Sequence, residues 1–304
     1  MMTASELEIG VEGGVLTGLD FGGHGPGVLL VHGSGHNAAA WTDVASRLVD
    51  RCHPIAVDLR GHGQNRLDSS DPEQYWRDLG AVLEACAWDR PVLVGHSTGG
   101  YAVAALTASG LATPAALCVV DGMVLDDRAT ALEQQAALRS AESVEQLQRI
   151  FRYGWRADDA ELEHYVEQCL READTDWLNA GARHGLVESV IRRSFVPATG
   201  GGMVGGIDTA QWVRRPTTEE IAAVTDVEPE AAVFPSRDLY DRIDCPMRIV
   251  LATDGFYAAR RPEVEAIVAL RPARRLTVVD ANHNVPMTRP DQLADIILDV
   301  LADV

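Results

Sequence analysis

Short apolar runs alternate with helix-length segments through the first 120 residues, and that rhythm constrains the fold more than any other feature. Gly27-Val28-Leu29-Leu30-Val31, Pro54-Ile55-Ala56-Val57, Pro91-Val92-Leu93-Val94 and Ala116-Leu117-Cys118-Val119-Val120 are strand-sized and rich in β-branched residues. Between them, a stretch from about Ala39 to Val49, then Tyr75 to Ala87, then an alanine-rich stretch ending at Ser109 read as helices. In the second, Leu79, Val82, Leu83 and Cys86 recur at helical spacing. Strands joined by helical crossovers lie parallel in one sheet with both faces covered.

The rhythm breaks at about Asp126. From there to Asp244 the chain is rich in Ala, Glu, Gln and Arg, with almost no strand-like runs. Helices are expected over Thr130–Ser140, Val144–Tyr153, Asp159–Glu172 and Trp177–Arg193, and a glycine-rich run, Gly200 to Gly206, follows as a hinge, lid or solvent loop. Alternation resumes with a strand at Met247–Leu251, a helix over Pro262–Ala269, a strand at Leu276–Val279 and a closing amphipathic helix, Pro290–Ala302. The expected architecture is an α/β core, a mainly parallel sheet flanked by helices, built from residues 1–125 and 246–304. A helical cap, residues 126–245, is inserted between its halves.

Composition narrows the function. The chain carries 45 acidic and 26 basic residues for a net charge of −19, a balance that repels phosphate backbones and anionic lipid, so no nucleic-acid or membrane partner is expected. Lysine is absent, which excludes P-loop phosphate binding, lysine Schiff bases and Ser-Lys nucleophile pairs. The five cysteines (Cys52, Cys86, Cys118, Cys169, Cys245) show no paired spacing and read as free thiols in a reducing cytoplasm. The first ten residues do not resemble a secretory signal, and no apolar run approaches the roughly 20 residues of a membrane span.

The chemistry-bearing motif is Gly95-His96-Ser97-Thr98-Gly99, which fits Gly-x-Ser-x-Gly. A bare match is weak. Here it follows a strand without a loop and opens a helix, the elbow that exposes a nucleophilic serine above a sheet edge. The helix N-terminus behind Ser97 offers backbone N–H groups to a developing oxyanion.

With that elbow in place the chain resembles the α/β-hydrolase family over essentially its full length. His32-Gly33-Ser34-Gly35 is similar to the family's oxyanion loop, with Trp41 following it. Asp58-Leu59-Arg60-Gly61-His62-Gly63 resembles its Asp-x-x-Gly-x-Gly turn, and Ala281-Asn282-His283 follows the last strand. The resemblance implies Ser97 as nucleophile, His283 as general base, and the backbone N–H groups of Ser34 and Thr98 as oxyanion donors.

It leaves the acid open. Asp254 is the carboxylate near the usual loop, although the family's spacing points one residue later, to Gly255, and the segment Phe256–Arg261 is longer than usual. Asp121 ends the strand after the elbow helix, where some subfamilies carry the acid instead. Asp280 is a weaker third candidate.

Candidate substrate contacts are His32, Gly33 and Gly35 of the loop, His96 of the elbow, and Trp155, Trp177 and Trp212 of the cap, with Phe151 and Tyr153. The alternative for these aromatics is that they form the cap's own core. His96, His62 and His36 carry no catalytic expectation, His36 being a loop residue at the pocket edge. His32 and His36 lack a third ligand, so neither metal nor cofactor is expected. Arg192, Arg193, Arg214 and Arg215 read as solvated side chains.

These readings converge on a serine hydrolase cleaving an ester, lactone or thioester of a small molecule, with a homo-oligomer left open. Serine at the elbow disfavours the dehalogenases and epoxide hydrolases of this fold, which need a carboxylate there. The alternatives are a carbon–carbon bond hydrolase with the same triad, a cofactor-independent dioxygenase whose acid sits where Asp121 sits, and a capped ligand receptor without activity.

Overall fold

The computed structural model describes residues 4–198 and 212–304. In chain order its strands are β1 (Ser5–Val11), β2 (Gly14–Asp20), β3 (Gly27–Val31), β4 (His53–Val57), β5 (Val92–His96), β6 (Ala116–Val120), β7 (Arg156–Ala157), β8 (Phe195–Pro197), β9 (Trp212–Arg214), β10 (Met247–Asp254) and β11 (Arg274–Asn282). Eight of them form one sheet in the order β1-β2-β4-β3-β5-β6-β10-β11. The pairs β1–β2 and β2–β4 are antiparallel, and every later pair is parallel. The hairpin β1–β2 is not among the strands expected from sequence. Its residues are mostly exposed or half-buried, with Ile9, Leu16, Gly18 and Leu19 buried, so no continuous apolar run marks it.

The central strands are the opposite case. Strands β3, β5 and β6 are buried at every position, which is why they read as unbroken apolar runs. Their period of two splits them between layers. Val28, Leu30, Val94 and Val120 join one core with the helices Thr42–Leu48 and Pro290–Ala302, while Leu29, Val31, Leu93 and Val119 join the other. Helices Gln74–Cys86, Thr98–Ala108 and Arg261–Ala269 cover that second face.

Between β6 and β10 runs the inserted segment, with helices Arg128–Leu138, Ala141–Phe151, Asp159–Glu172, His184–Arg193 and Thr218–Val224. Asp127 and Ser140 cap the first two, and Asp158–Glu161 and Thr217–Glu220 form capping boxes at the third and fifth. The insert is not free of strands, because β7, β9 and β8 pair antiparallel in a small second sheet. The helix expected from Trp177 begins only at His184. Upstream, the Asp176 carboxylate accepts hydrogen bonds from the N–H groups of Leu178 and Asn179 and from the Asn179 side chain, a turn that competes with helix. The run 200–206 lies outside the described residues.

The arginine pairs are not solvated as expected. Arg193, half-buried, pairs with the buried Asp58 carboxylate at 2.8 Å and also reaches Glu6. Arg215 is buried against Glu220, and Arg214 donates to the Tyr165 hydroxyl at 2.6 Å. Arg192 sits in partly exposed pairs with Glu163 and Glu188. Asp58, the first residue of the Asp-x-x-Gly-x-Gly turn, also accepts from Thr17 Oγ1 and the N–H groups of Ala38 and Gln64. Gln64 donates to the carbonyls of Arg193 and Phe195, so helix His184–Arg193 is docked onto the turn that precedes the site.

Candidate active site

The C-terminal ends of the parallel strands converge where a ligand binds in open α/β sheets. At the end of β5, Ser97 stands at φ 53° and ψ −124°, a backbone conformation strained for a residue with a side chain. Its N–H donates to the Val120 carbonyl at 3.0 Å, and its carbonyl accepts from the Gly100 N–H at 2.8 Å. Glycine is required on both sides. A Cβ at Gly95 would collide with the Gly99 carbonyl, and one at Gly99 with the Val31 carbonyl. The turn is thus locked between β3, β6 and its own helix with the serine side chain presented to the cavity.

His283 follows β11 and is buried. Its Nδ1–H donates to the Asp121 carboxylate at 2.7 Å. Asp121 ends β6, is fully buried, and also accepts from the N–H groups of Ala252 and Phe256 at 3.2 Å. Neither of the other acidic candidates reaches the histidine. Asp254 is exposed at the end of β10, and Asp280 is exposed and accepts from Thr253 Oγ1.

Among the described residues, the N–H groups of Ser34 and Thr98 donate to no backbone carbonyl, and the two side-chain hydroxyls bond each other at 2.8 Å. Both residues border the same cavity as Ser97. Beneath the loop, His32 Nε2 accepts from the Leu59 N–H at 2.9 Å and its Nδ1–H donates to the Gly33 carbonyl at 2.8 Å. Burial and the neighbouring His62 push its pKa down to about 3, so it acts as a neutral strut. His36 borders the cavity, and burial together with His283 lowers its pKa to about 4. His96 is buried, its Nε2–H donates to the His283 carbonyl at 2.8 Å, and its pKa lies well below the usual range, chiefly through burial.

The cavity encloses about 660 Å³. Its floor is Ser34, Ser97, Thr98 and His283, and its far wall comes from the insert, with Leu138, Val144, Leu147 and Ile221. The charged lining residues Asp126 and Arg260 are paired at 2.8 Å.

Residues 28–296 match the sequence profile of the Alpha/beta hydrolase family. The chain belongs to that family. Protein phosphatase methylesterase 1 of Bos taurus is 40% identical over 110 residues, which is 33% of this chain and 29% of that protein. An uncharacterized protein of Mycobacterium tuberculosis (strain ATCC 25618 / H37Rv) is 41% identical over 83 residues, 26% of this chain and 24% of the relative. The chain thus spans under a third of the length of these curated relatives. Among solved structures, E-2-(acetamidomethylene)succinate hydrolase superposes with a TM-score of 0.71 at 20% identity, covering 99% of this chain and 100% of the other. The enol-lactonase of Burkholderia xenovorans LB400 gives 0.65 at 18% identity, covering 97% and 100%. At such identities the likeness is one of fold.

In this α/β hydrolase, several candidate contacts lie elsewhere than expected. Trp177, Phe151, Tyr153, Gly33 and His96 line the cavity. Trp155 does not, because it packs edge-on against Tyr165 and Phe195 within the insert, with Arg152 over its ring. Trp212 is held on β9 by its indole N–H bond to Asp159. His32 lies under the loop, and Gly35 is covered by the Tyr153 ring. Tyr101 and Gly122 also line the cavity. Tyr101 stands four residues after Ser97 on the same helical face, a spacing that carries that signal. Gly122 packs on the Ser97 backbone, which nothing in the sequence marks.

Proposed function

We propose that this α/β hydrolase is a serine hydrolase that cleaves an ester, thioester or lactone of a small neutral molecule through an acyl-enzyme. The observation that carries the reading is the buried Asp121–His283 pair at 2.7 Å beside a cavity into which the strained Ser97 elbow opens. In this reading His283 Nε2 takes the proton of Ser97 Oγ as that oxygen attacks the carbonyl. The N–H groups of Ser34 and Thr98 receive the oxyanion, and His283 returns the proton to the departing alcohol or thiol. Water then attacks the acyl-serine by the same route. Asp121 holds the imidazole tautomer and stabilises the imidazolium.

The apolar wall and the mutually paired Asp126 and Arg260 support a neutral substrate, since a free charge would find no partner there. The insert, residues 126–245, serves as the cap that closes over it. The partial match to a protein named as a methylesterase agrees with ester cleavage.

Intact-mass labelling with a fluorophosphonate tests the reading. A single adduct is expected on the wild-type chain and none on Ser97→Ala; an unlabelled wild type, or an adduct that survives in the variant, rejects it. The position of the acid on Asp121 also favours a second reading, a cofactor-independent dioxygenase in which the His–Asp pair deprotonates substrate for reaction with oxygen. That reading predicts substrate-dependent oxygen uptake in place of an adduct.

A further inference from the structure

Phe256 is 60% exposed, yet two of its contacts meet the Asp121–His283 pair and a third meets the insert. Its N–H donates to Asp121 Oδ2 at 3.2 Å. Its ring stacks on the His283 imidazole with centroids 4.0 Å apart and planes inclined by 27°. Its outer side meets the Trp177 ring of the insert at 5.6 Å, and Trp177 is itself 49% exposed. The same turn of the insert is tied down beside His283, where Asn282 Nδ2 donates to the carbonyls of Trp177 and Leu178 at 3.0 and 3.2 Å.

One hydrogen bond at Nδ1 fixes a point of the imidazole but leaves the ring free to swing about the Nδ1···Oδ2 line. A second constraint must hold the plane if Nε2 is to face the nucleophile. Phe256 stacks on the ring at 4.0 Å and 27°, and His96 meets it at 4.8 Å and 43°. Aromatic rings prefer offset or tilted contact at these separations, so these contacts favour one plane of the imidazole.

We propose that Phe256 is a positioning residue: its ring sets the plane of His283, its N–H sets the Asp121 carboxylate, and Trp177 holds it in that pose. The inserted segment is thereby coupled to the base rather than merely covering the cavity. The inference rests on the serine-hydrolase reading and adds to it a residue that touches both acid and base without taking part in proton transfer.

The test measures kcat and KM for a p-nitrophenyl ester, and the fluorophosphonate labelling rate, in Phe256→Ala, Phe256→Leu, Phe256→Tyr, Trp177→Ala and the Phe256→Ala/Trp177→Ala double variant. Ser97→Ala is the control for the underlying reading. Phe256→Ala and Phe256→Leu should lower kcat and the labelling rate on the order of tenfold with KM little changed, because misoriented groups lose rate rather than affinity. Phe256→Tyr should remain near wild type. The double variant should be no slower than Phe256→Ala alone, since both changes remove one constraint.

Unchanged kcat in Phe256→Leu, a loss confined to KM, or additive effects of the two substitutions would overturn the inference while Ser97→Ala remained inactive. Turnover persisting in Ser97→Ala overturns the hydrolase reading and the inference with it. The unfolding temperature, read alongside, separates positioning from structure. It should be unaltered in Phe256→Leu, whose side chain lies mostly in solvent, and a shift that accounts for the lost activity also counts against the proposal.

Discussion

The Asp121 carboxylate fills the volume that a side chain at Gly255 would occupy: a Cβ built on residue 255 runs directly into it. Strands β6 and β10 are neighbours, so an acid launched from either reaches the same place before His283. Asp121 occupies that place, and position 255 is a glycine. Asp121→Asn is therefore expected to lower turnover by about 10⁴, as when a buried triad aspartate loses its charge and the imidazole its tautomer. Asp254→Asn, at an exposed position, should leave kcat/KM within about threefold, since surface substitutions away from the site perturb little. Gly255→Asp should be inactive alone through collision and recover part of the lost rate when combined with Asp121→Gly. Asp121 sits at φ 40°, a conformation glycine accepts freely. Steady-state kinetics on the four variants checks the set.

Arg193 and Arg192 are adjacent but predict opposite outcomes. The Arg193 side chain is only 9% exposed and pairs with Asp58, which is fully buried. Burial alone would push the Asp58 carboxyl up, but the Arg193 charge and hydrogen bonds, with the Ala38 N–H, hold it below the usual range. Arg193→Ala strands that carboxylate and should cost about 3–5 kcal/mol. Arg192→Ala removes partly exposed pairs and should cost about 1 kcal/mol or less. Urea denaturation of both variants gives the comparison, and equal midpoints would contradict it.

Much of the core was legible in the sequence because β3, β5 and β6 are buried on both faces, so their apolar runs are unbroken. The β1–β2 hairpin was not, since a half-exposed strand leaves too few apolar residues to register. Ser97 could be singled out because the strain of the elbow is relieved by glycines close in sequence, Gly95 and Gly99. The acid could not, because Asp121 and Asp254 end neighbouring strands. Only the course of the loop after β10 decides which of them meets His283. Trp155 and Trp177 are alike as letters, and packing alone sends one into the insert and the other to the cavity. Arg193 escaped for the same reason, its partner lying 135 residues away.

Stability should fall on mild acidification. His32 and His62 are buried neutral, with pKa values pushed down to about 3 and about 4, chiefly by burial. Unfolded, each returns to about 6.5. Between those values the unfolded chain binds more protons than the folded one, so unfolding free energy rises with pH there. The contribution is complete above about pH 6.5 and is lost progressively down to about pH 4 for His62 and about pH 3 for His32, at up to about 1.4 kcal/mol per pH unit for each group. His62→Asn keeps a donor for the Arg60 carbonyl, which the Nδ1–H now serves, and removes one titrating group. Thermal unfolding from pH 7.5 to 4.5 should slope less steeply in the variant than in the wild type. A slope unchanged by the substitution would assign the acid sensitivity to other groups.

His96, the variable residue of the elbow, bonds the carbonyl of His283 through Nε2–H and lies 4.8 Å from its ring. The bond ties the loop carrying His283 to the end of the strand that leads into Ser97. Glutamine can place an amide N–H near the position of Nε2, whereas phenylalanine fills the space and donates nothing. His96→Gln should therefore retain most of kcat, and His96→Phe should lose on the order of tenfold with KM little changed, as expected when a catalytic group is displaced rather than removed. His96→Phe also leaves a buried carbonyl without its donor, at a cost of about 1–3 kcal/mol, so its unfolding temperature should drop below that of His96→Gln. If both variants lose kcat equally while only the phenylalanine variant is destabilised, the hydrogen bond serves the fold and the ring itself serves the site. Equal activity in all three proteins would remove His96 from any part in holding the base.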